Sequence, residues 1–318
     1  MLPWVRRLTL TVSTVPLVIA AALPAIADPF RPEAPRSFDP TVEAAFDAIF
    51  KDGNYRQADA LLEQASDSEP ITHAMQATLA YLSGDWNSLS LEAEQTLSSA
   101  TQLLDQDPLR GHLYSAVGHF MEGAHALSTQ DAVRATPVVL SKLRLMFDHF
   151  DQASDIDPTD PELNLIQGYM DLILAVNLPF SSPDEAVDKF SRYGAPDYLV
   201  NRGLAIAYRD LNQYGQAIAA VDQAIQQTPN NPDLYYLKAQ ILRLQGDLEG
   251  SVQLFDRALR QQGQLPTSVA DQIAREMCRT RKDLAGEGPN CDNWVRRWRT
   301  RIDRRANSAT DATPAVSE

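Results

Sequence analysis

Signatures of catalysis are absent from this 318-residue chain. It has no G-x-S-x-G elbow, phosphate-binding P-loop or glycine-rich nucleotide turn, and its 14 glycines fall mainly where helices end or pack. Carboxylates are plentiful but spread over solvated faces, so no acid-base pair stands out, and the chain reads as a non-enzyme without a cofactor. Cations are scarce: 28 Lys and Arg against 42 Asp and Glu give a formal charge of -14. That balance argues against nonspecific nucleic-acid binding, which depends on neutralising phosphates. Cysteine is scarcer still, with only Cys278 and Cys291. With no histidine near them they do not make a zinc site.

What the chain does have begins with a leader. Arg6 and Arg7 precede a mostly apolar run from Leu8 to Leu23, and Ala25-Ile26-Ala27 offers an A-x-A cleavage site between Ala27 and Asp28. Residues 1–27 are therefore expected to be a secretory signal. A retained membrane anchor is the alternative, weakened by Pro16, Pro24 and a barely sufficient apolar length. No cysteine follows the run, so there is nothing to lipidate. An oxidising compartment would let Cys278 and Cys291 pair, with two free buried thiols as the other outcome. The destination is the periplasm, or alternatively a thylakoid lumen.

With 44% hydrophobic and 22% charged residues the chain can build an extended core. Its most informative stretch is residues 198–265, where one helical hairpin is written twice. A shift of 34 residues lays Ala205 on Ala239, Tyr208 on Leu242, Tyr214 on Leu248, Ala217 on Ser251, Val221 on Phe255 and Ala224 on Ala258. Small Ala205 and Ala239 let the second helix of each pair approach closely. Gly246 is placed to end a helix in a left-handed conformation, and Asn212 does the same one copy earlier. The period and the pattern of small and large residues resemble the tetratricopeptide repeat. That resemblance implies an all-α, right-handed solenoid of helical hairpins, because no hairpin covers its own apolar face and each must lean on the next.

In chain order, residues 28–38 carry several prolines and read as an extended linker. The solenoid is expected over 39–265, with the clearest repeats at 198–231 and 232–265. A first hairpin has Phe46 where the repeat prefers a small residue, which predicts a wider crossing. The middle departs from the period: helices at 109–128 and 138–156 are separated by the polar link TQDAVRATP, and the apolar LNLIQGYMDLILAVNL leads into a turn at Pro179–Pro183. Capping helices are expected over 266–306 and a disordered tail over 307–318. The segments DPLRGHLYSAVGHFMEGA, DPELNLIQGYMDLILAVNLPFSSP, AYRDLNQY and NNPDLYYLKAQILR are similar to a family of exported tetratricopeptide proteins from cyanobacteria. The resemblance implies a periplasmic or lumenal location and brings no activity.

Helical spacing marks the side chains that the concave wall would offer a partner: Leu199, Arg202, Ile206, Arg209 and Asp210 in one copy, Tyr236, Gln240, Arg243 and Leu244 in the next. Three arginines beside a tyrosine suit a protein or peptide partner, an acidic one in particular. The plainer reading pairs them with Asp210, Asp233 or other local acids. His112, His119 and His125, with Glu122, share one helix but do not converge as a metal site needs, so no metal is expected. The last helix sets Trp294, Trp298 and Ile302 on one side and arginines elsewhere. It packs on the last repeat or, in an alternative reading of the protein as a peripheral membrane organiser, lies on anionic lipid.

Overall fold

Helices start where the sequence supplies a cap. Asp39, Asn54, Asp85, Asp107, Asp131, Asn231 and Asp247 each accept a hydrogen bond from a backbone N–H of the turn that follows. Pro40, Pro70, Pro108 and Pro232 occupy first turns, where a missing N–H costs nothing. The structure, a computed structural model, describes residues 28–31, 35, 36, 39–177 and 183–311. The expected signal segment with Ala27, and most of the expected turn at Pro179–Pro183, lie outside the described residues.

Six hairpins follow one another. They are α1 (Pro40–Phe46, running on into a π-helical turn Asp47–Lys51) with α2 (Tyr55–Leu62), α3 (Pro70–Ser83) with α4 (Trp86–Leu103), and α5 (Pro108–Thr129) with α6 (Ala132–Ile156). Then come α7 (Pro161–Asn177) with α8 (Pro183–Arg192), α9 (Asp197–Asp210) with α10 (Tyr214–Gln227), and α11 (Pro232–Gln245) with α12 (Leu248–Arg260). A short 3-10 turn leads to α13 (Thr267–Ala285) and α14 (Cys291–Asp311). No strand occurs among the described residues. The molecule is an all-α array of helical hairpins closed by two further helices.

The two clear copies keep their register in three dimensions. Ala205, Ala217, Val221 and Ala224 are 0% exposed, and so are their counterparts Ala239, Ser251, Phe255 and Ala258. The one polar member is satisfied, because the Ser251 hydroxyl donates to the Ala239 carbonyl at 2.8 Å. Both turns are left-handed as expected, with φ of 59° at Asn212 and 98° at Gly246.

Three sequence expectations need adjusting. The polar link TQDAVRATP is mostly helix: α6 starts at Ala132, capped by Asp131, and carries Pro137 inside. Proline leaves a carbonyl one turn earlier without its donor, and the 84% exposed Val133 shows that this part of the helix is open to water, which can supply one. The expected tail is helical as far as Asp311. The stretch read as a linker is docked: Phe30 is 3% exposed and meets Phe46 edge-on, ring centroids 5.2 Å apart. The large Phe46, out of place in the repeat pattern, is the surface that receives it.

A second reason for that docking is charge. Glu162, near the start of α7, is fully buried. It accepts from the Tyr114 hydroxyl at 2.6 Å and from Arg31 at 3.1 Å, and lies 3.3 Å from Arg110 and 3.6 Å from Arg36. Arg31 also pairs with Asp28 and Asp160. Burial alone would push the Glu162 carboxyl up, but Arg110, Arg31 and the tyrosine hydroxyl hold it below its ordinary range. A lowered folded pKa contributes stability that is present above the unfolded value and is lost on acidification. The protein should therefore lose stability as the pH falls below about 4.5. Glu162→Gln should cost about 1.5–3 kcal/mol at neutral pH, by removing the charge that Arg31, Arg36 and Arg110 share, and should flatten that acid limb. Urea unfolding across a pH series measures both.

Candidate functional site: the inner face of the array

The first helices of successive hairpins are joined side by side: Tyr169 of α7 donates to the Leu199 carbonyl of α9, Arg209 of α9 to Gln240 of α11, and Tyr236 of α11 to Glu276 of α13. The array comes round far enough for its beginning to meet its end. Gly53, in the turn after α1, sits against the N-terminus of α11: an added Cβ would come within 2.6 Å of Asn231 Oδ1 and 2.7 Å of Pro232 Cδ. Its φ of 61° also favours glycine. Asn231 Nδ2 donates to the Phe50 carbonyl at 3.1 Å while its Oδ1 caps α11. The Tyr55 hydroxyl donates to Asp233, and the Ser268 hydroxyl to the Leu82 carbonyl.

This closure divides the concave residues into two sets. Leu199 is 3% exposed, and its carbonyl accepts from the Tyr169 hydroxyl at 2.7 Å. Arg202 lies 3.7 Å from Asp233, within the group completed by Tyr55. Burial works against the Arg202 charge, but Asp233 and Tyr55 outweigh it and raise its pKa. The Tyr55 phenol is pushed well up, by burial first and then by the Asp233 charge. Ile206 is partly buried against the same core. Arg202, Asp233 and Tyr55 thus join this stretch to the first hairpin, with 24% of the Arg202 side chain still exposed.

The second set is open and polar. Arg209 grips Asp210 and donates to Gln240 Oε1 at 3.0 Å. Gln240 donates to Glu276 at 3.1 Å, and the Tyr236 hydroxyl donates to the same carboxylate at 2.7 Å. Arg243 pairs with Asp283 at 2.7 Å, and Leu244 is 55% exposed. The plainer reading of the arginines therefore holds for all three: Arg202 with Asp233, Arg209 with Asp210 and Arg243 with Asp283. Glu276 and Asp283 escaped sequence reasoning because they lie on α13, outside the period. Tyr55 escaped it because it is 178 residues from Asp233.

Other candidates resolve as follows. Cys278 and Cys291 are bonded, S–S 2.13 Å, and tie α13 to the start of α14. His112 meets His149, Nδ1 to Nδ1 at 3.0 Å, and His119 pairs with Glu122 at 2.8 Å. The histidine that joins the group is His149 of α6, not His125. Burial lowers the pKa of His112 and of His149. Among the described residues no three ligating side chains converge on a metal position. None of the helices described is long and apolar enough to cross a membrane. Trp294 and Trp298 stack, centroids 6.5 Å apart, and pack inward with Val295.

Tyr55→Phe removes one charged hydrogen bond from the closure and should cost about 1.5–3 kcal/mol. Helical content should be unchanged, and hydrogen exchange should accelerate around residues 50–55 and 231–233 before it does in α5 and α6. Uniform acceleration would contradict a local closure.

Comparisons with known proteins agree with this geometry in one stretch. No curated protein matches the chain. Among solved structures, the crystal structure of PilW, described as a widely conserved type IV pilus biogenesis factor, aligns with a TM-score of 0.42 and 18% identity. The alignment covers 62% of this chain and 85% of that one. Residues 202–266 match the tetratricopeptide repeat family, over the very hairpins whose buried alanines coincide. Over residues 202–266 the chain carries tetratricopeptide repeats.

Proposed function

We propose that this protein is an exported scaffold that holds a polypeptide partner, without catalysis, on the open half of its trough. Tetratricopeptide arrays bind proteins. The observation that carries the more specific reading is the row Arg209, Gln240, Tyr236 and Arg243, joined side by side across α9, α11 and α13, while Arg202 is engaged with Asp233 and Tyr55 at the contact with the first hairpin. Arg209 and Arg243 keep side-chain exposures of 21% and 31%, so a partner can reach them. Both already grip carboxylates, so an acidic segment would exchange one carboxylate for another at small net cost. The exposed Leu244 adds an apolar contact at the rim.

Export is supported by the leader sequence and by the Cys278–Cys291 bond, which belongs in an oxidising compartment such as the periplasm or a lumen. The peripheral membrane reading asks for an apolar stripe on α14 facing lipid. Trp294, Val295 and Trp298 are instead spent on the body of the protein.

A photo-crosslinking residue placed at Arg243 or Leu244 should trap a polypeptide in producing cells, and one at the 79% exposed Arg260 should not. Equal trapping at all three positions, or trapping at Arg260 alone, would remove the trough from the mechanism.

A further inference from the structure

The carboxylates described on the C-terminal helices are paired internally, and several of their cations are not. Asp283 is held by Arg243, Asp292 by Arg275, and Glu276 by Tyr236 and Gln240. Arg299 in turn reaches back to Asp271 on α13. Arg281, Lys282, Arg297, Arg301 and Arg304 are all exposed, and none has an ion-pair partner among the described residues. A chain of formal charge -14 thus carries a concentrated basic face at one end.

Two of these cations, Arg281 and Lys282, border a cavity of about 220 Å³. Its walls are the apolar surfaces of Cys278, Ala285, Pro289 and Trp294, its rim carries Arg281 and Lys282, and Glu287 with Gly288 completes it. From Trp294 a row leads away along α14 at helical spacing: Arg297, Arg301 and then Arg304, three or four residues apart. Over that span the helix rises roughly 15 Å, the reach of a short extended peptide.

From this the geometry points to a second docking surface, on α13 and α14, for a short acidic polypeptide segment: an apolar side chain enters the cavity beside Trp294 while carboxylates pair with Arg281, Lys282 and the arginine row. Guanidiniums bind carboxylates through paired hydrogen bonds, which suits this task. Three features favour a peptide over other polyanions. The apolar side chains of α14 face the core, so nothing is left to insert into a bilayer. The cavity is the size of a side chain. A membrane or a nucleic acid would also extend over the acidic remainder of the surface, whereas a short peptide stays within about a Debye length, roughly 8–10 Å, of the basic face.

The test uses the full mature chain and, as probe, an acetylated hexapeptide of four glutamates and two leucines, followed by isothermal titration at several salt concentrations. The wild-type chain should bind saturably, more weakly as salt rises. Arg281→Glu combined with Arg297→Glu should bind about tenfold more weakly or worse, with an unchanged melting temperature because neither residue has a partner to lose. Arg281→Ala combined with Arg297→Ala should give an intermediate loss. Arg209→Glu should leave this binding intact, so that failure here and failure of the trough reading are told apart. No saturable binding by the wild-type chain would overturn the assignment, as would equal binding by the reversed variant. Tighter binding to phosphatidylglycerol vesicles or to a single-stranded oligonucleotide than to the peptide would also overturn it.

Discussion

Contact between the first hairpin and the sixth governs much of what this molecule can offer. A stack of hairpins with free ends leaves its inner wall open along the whole length, because each unit touches only its neighbours. Here Tyr55 reaches Asp233, Gly53 abuts Asn231, and Asn231 holds the Phe50 carbonyl. These contacts are buried or half-buried and largely polar, so they combine direction with cost: each partner left alone would be a desolvated donor or charge. The arginines accordingly differ in role, with Arg202 serving the contact with the first hairpin through Asp233 and Tyr55 while Arg209 and Arg243 pair with Asp210 and Asp283.

The same economy appears at the other buried charge centre. Glu162 sits out of reach of water and is tolerable only because Arg31, Arg36, Arg110 and Tyr114 surround it. Two of those arginines come from the segment before α1. Phe30 fastens that segment to Phe46, and Arg31 and Arg36 neutralise the start of α7, so these three residues act as a clasp across the first and fourth hairpins.

Much of the fold was legible in the sequence. The coincidence of Ala205 with Ala239 and of Ala217 with Ser251 fixed both the period and the buried positions, and Asn212 and Gly246 marked the turns through their backbone preferences alone. Less was legible where the answer depended on partners distant in the chain. Phe30 and Arg31 looked like linker residues because nothing near them is apolar or acidic in the right pattern; Phe46 and Glu162, which receive them, lie on other elements. The link before Pro137 looked like a loop because proline is a poor helix former, yet Asp131 caps a helix there and water can serve the freed carbonyl. For the inner wall, spacing identified the right faces of α9 and α11. It could not tell which of them another part of the same chain would cover.

Closure also has a kinetic side. Nearly all pairings in such an array are between neighbours in sequence, the kind of topology that forms quickly. The bond from Tyr55 to Asp233 spans 178 residues. A chain made from its amino end therefore exposes the Tyr55 surface until residue 233 has been made, with its eventual cover not yet in existence. During that interval the first hairpin is a greasy, half-finished object, and any chaperone or export machinery that handles the nascent chain meets it in that form.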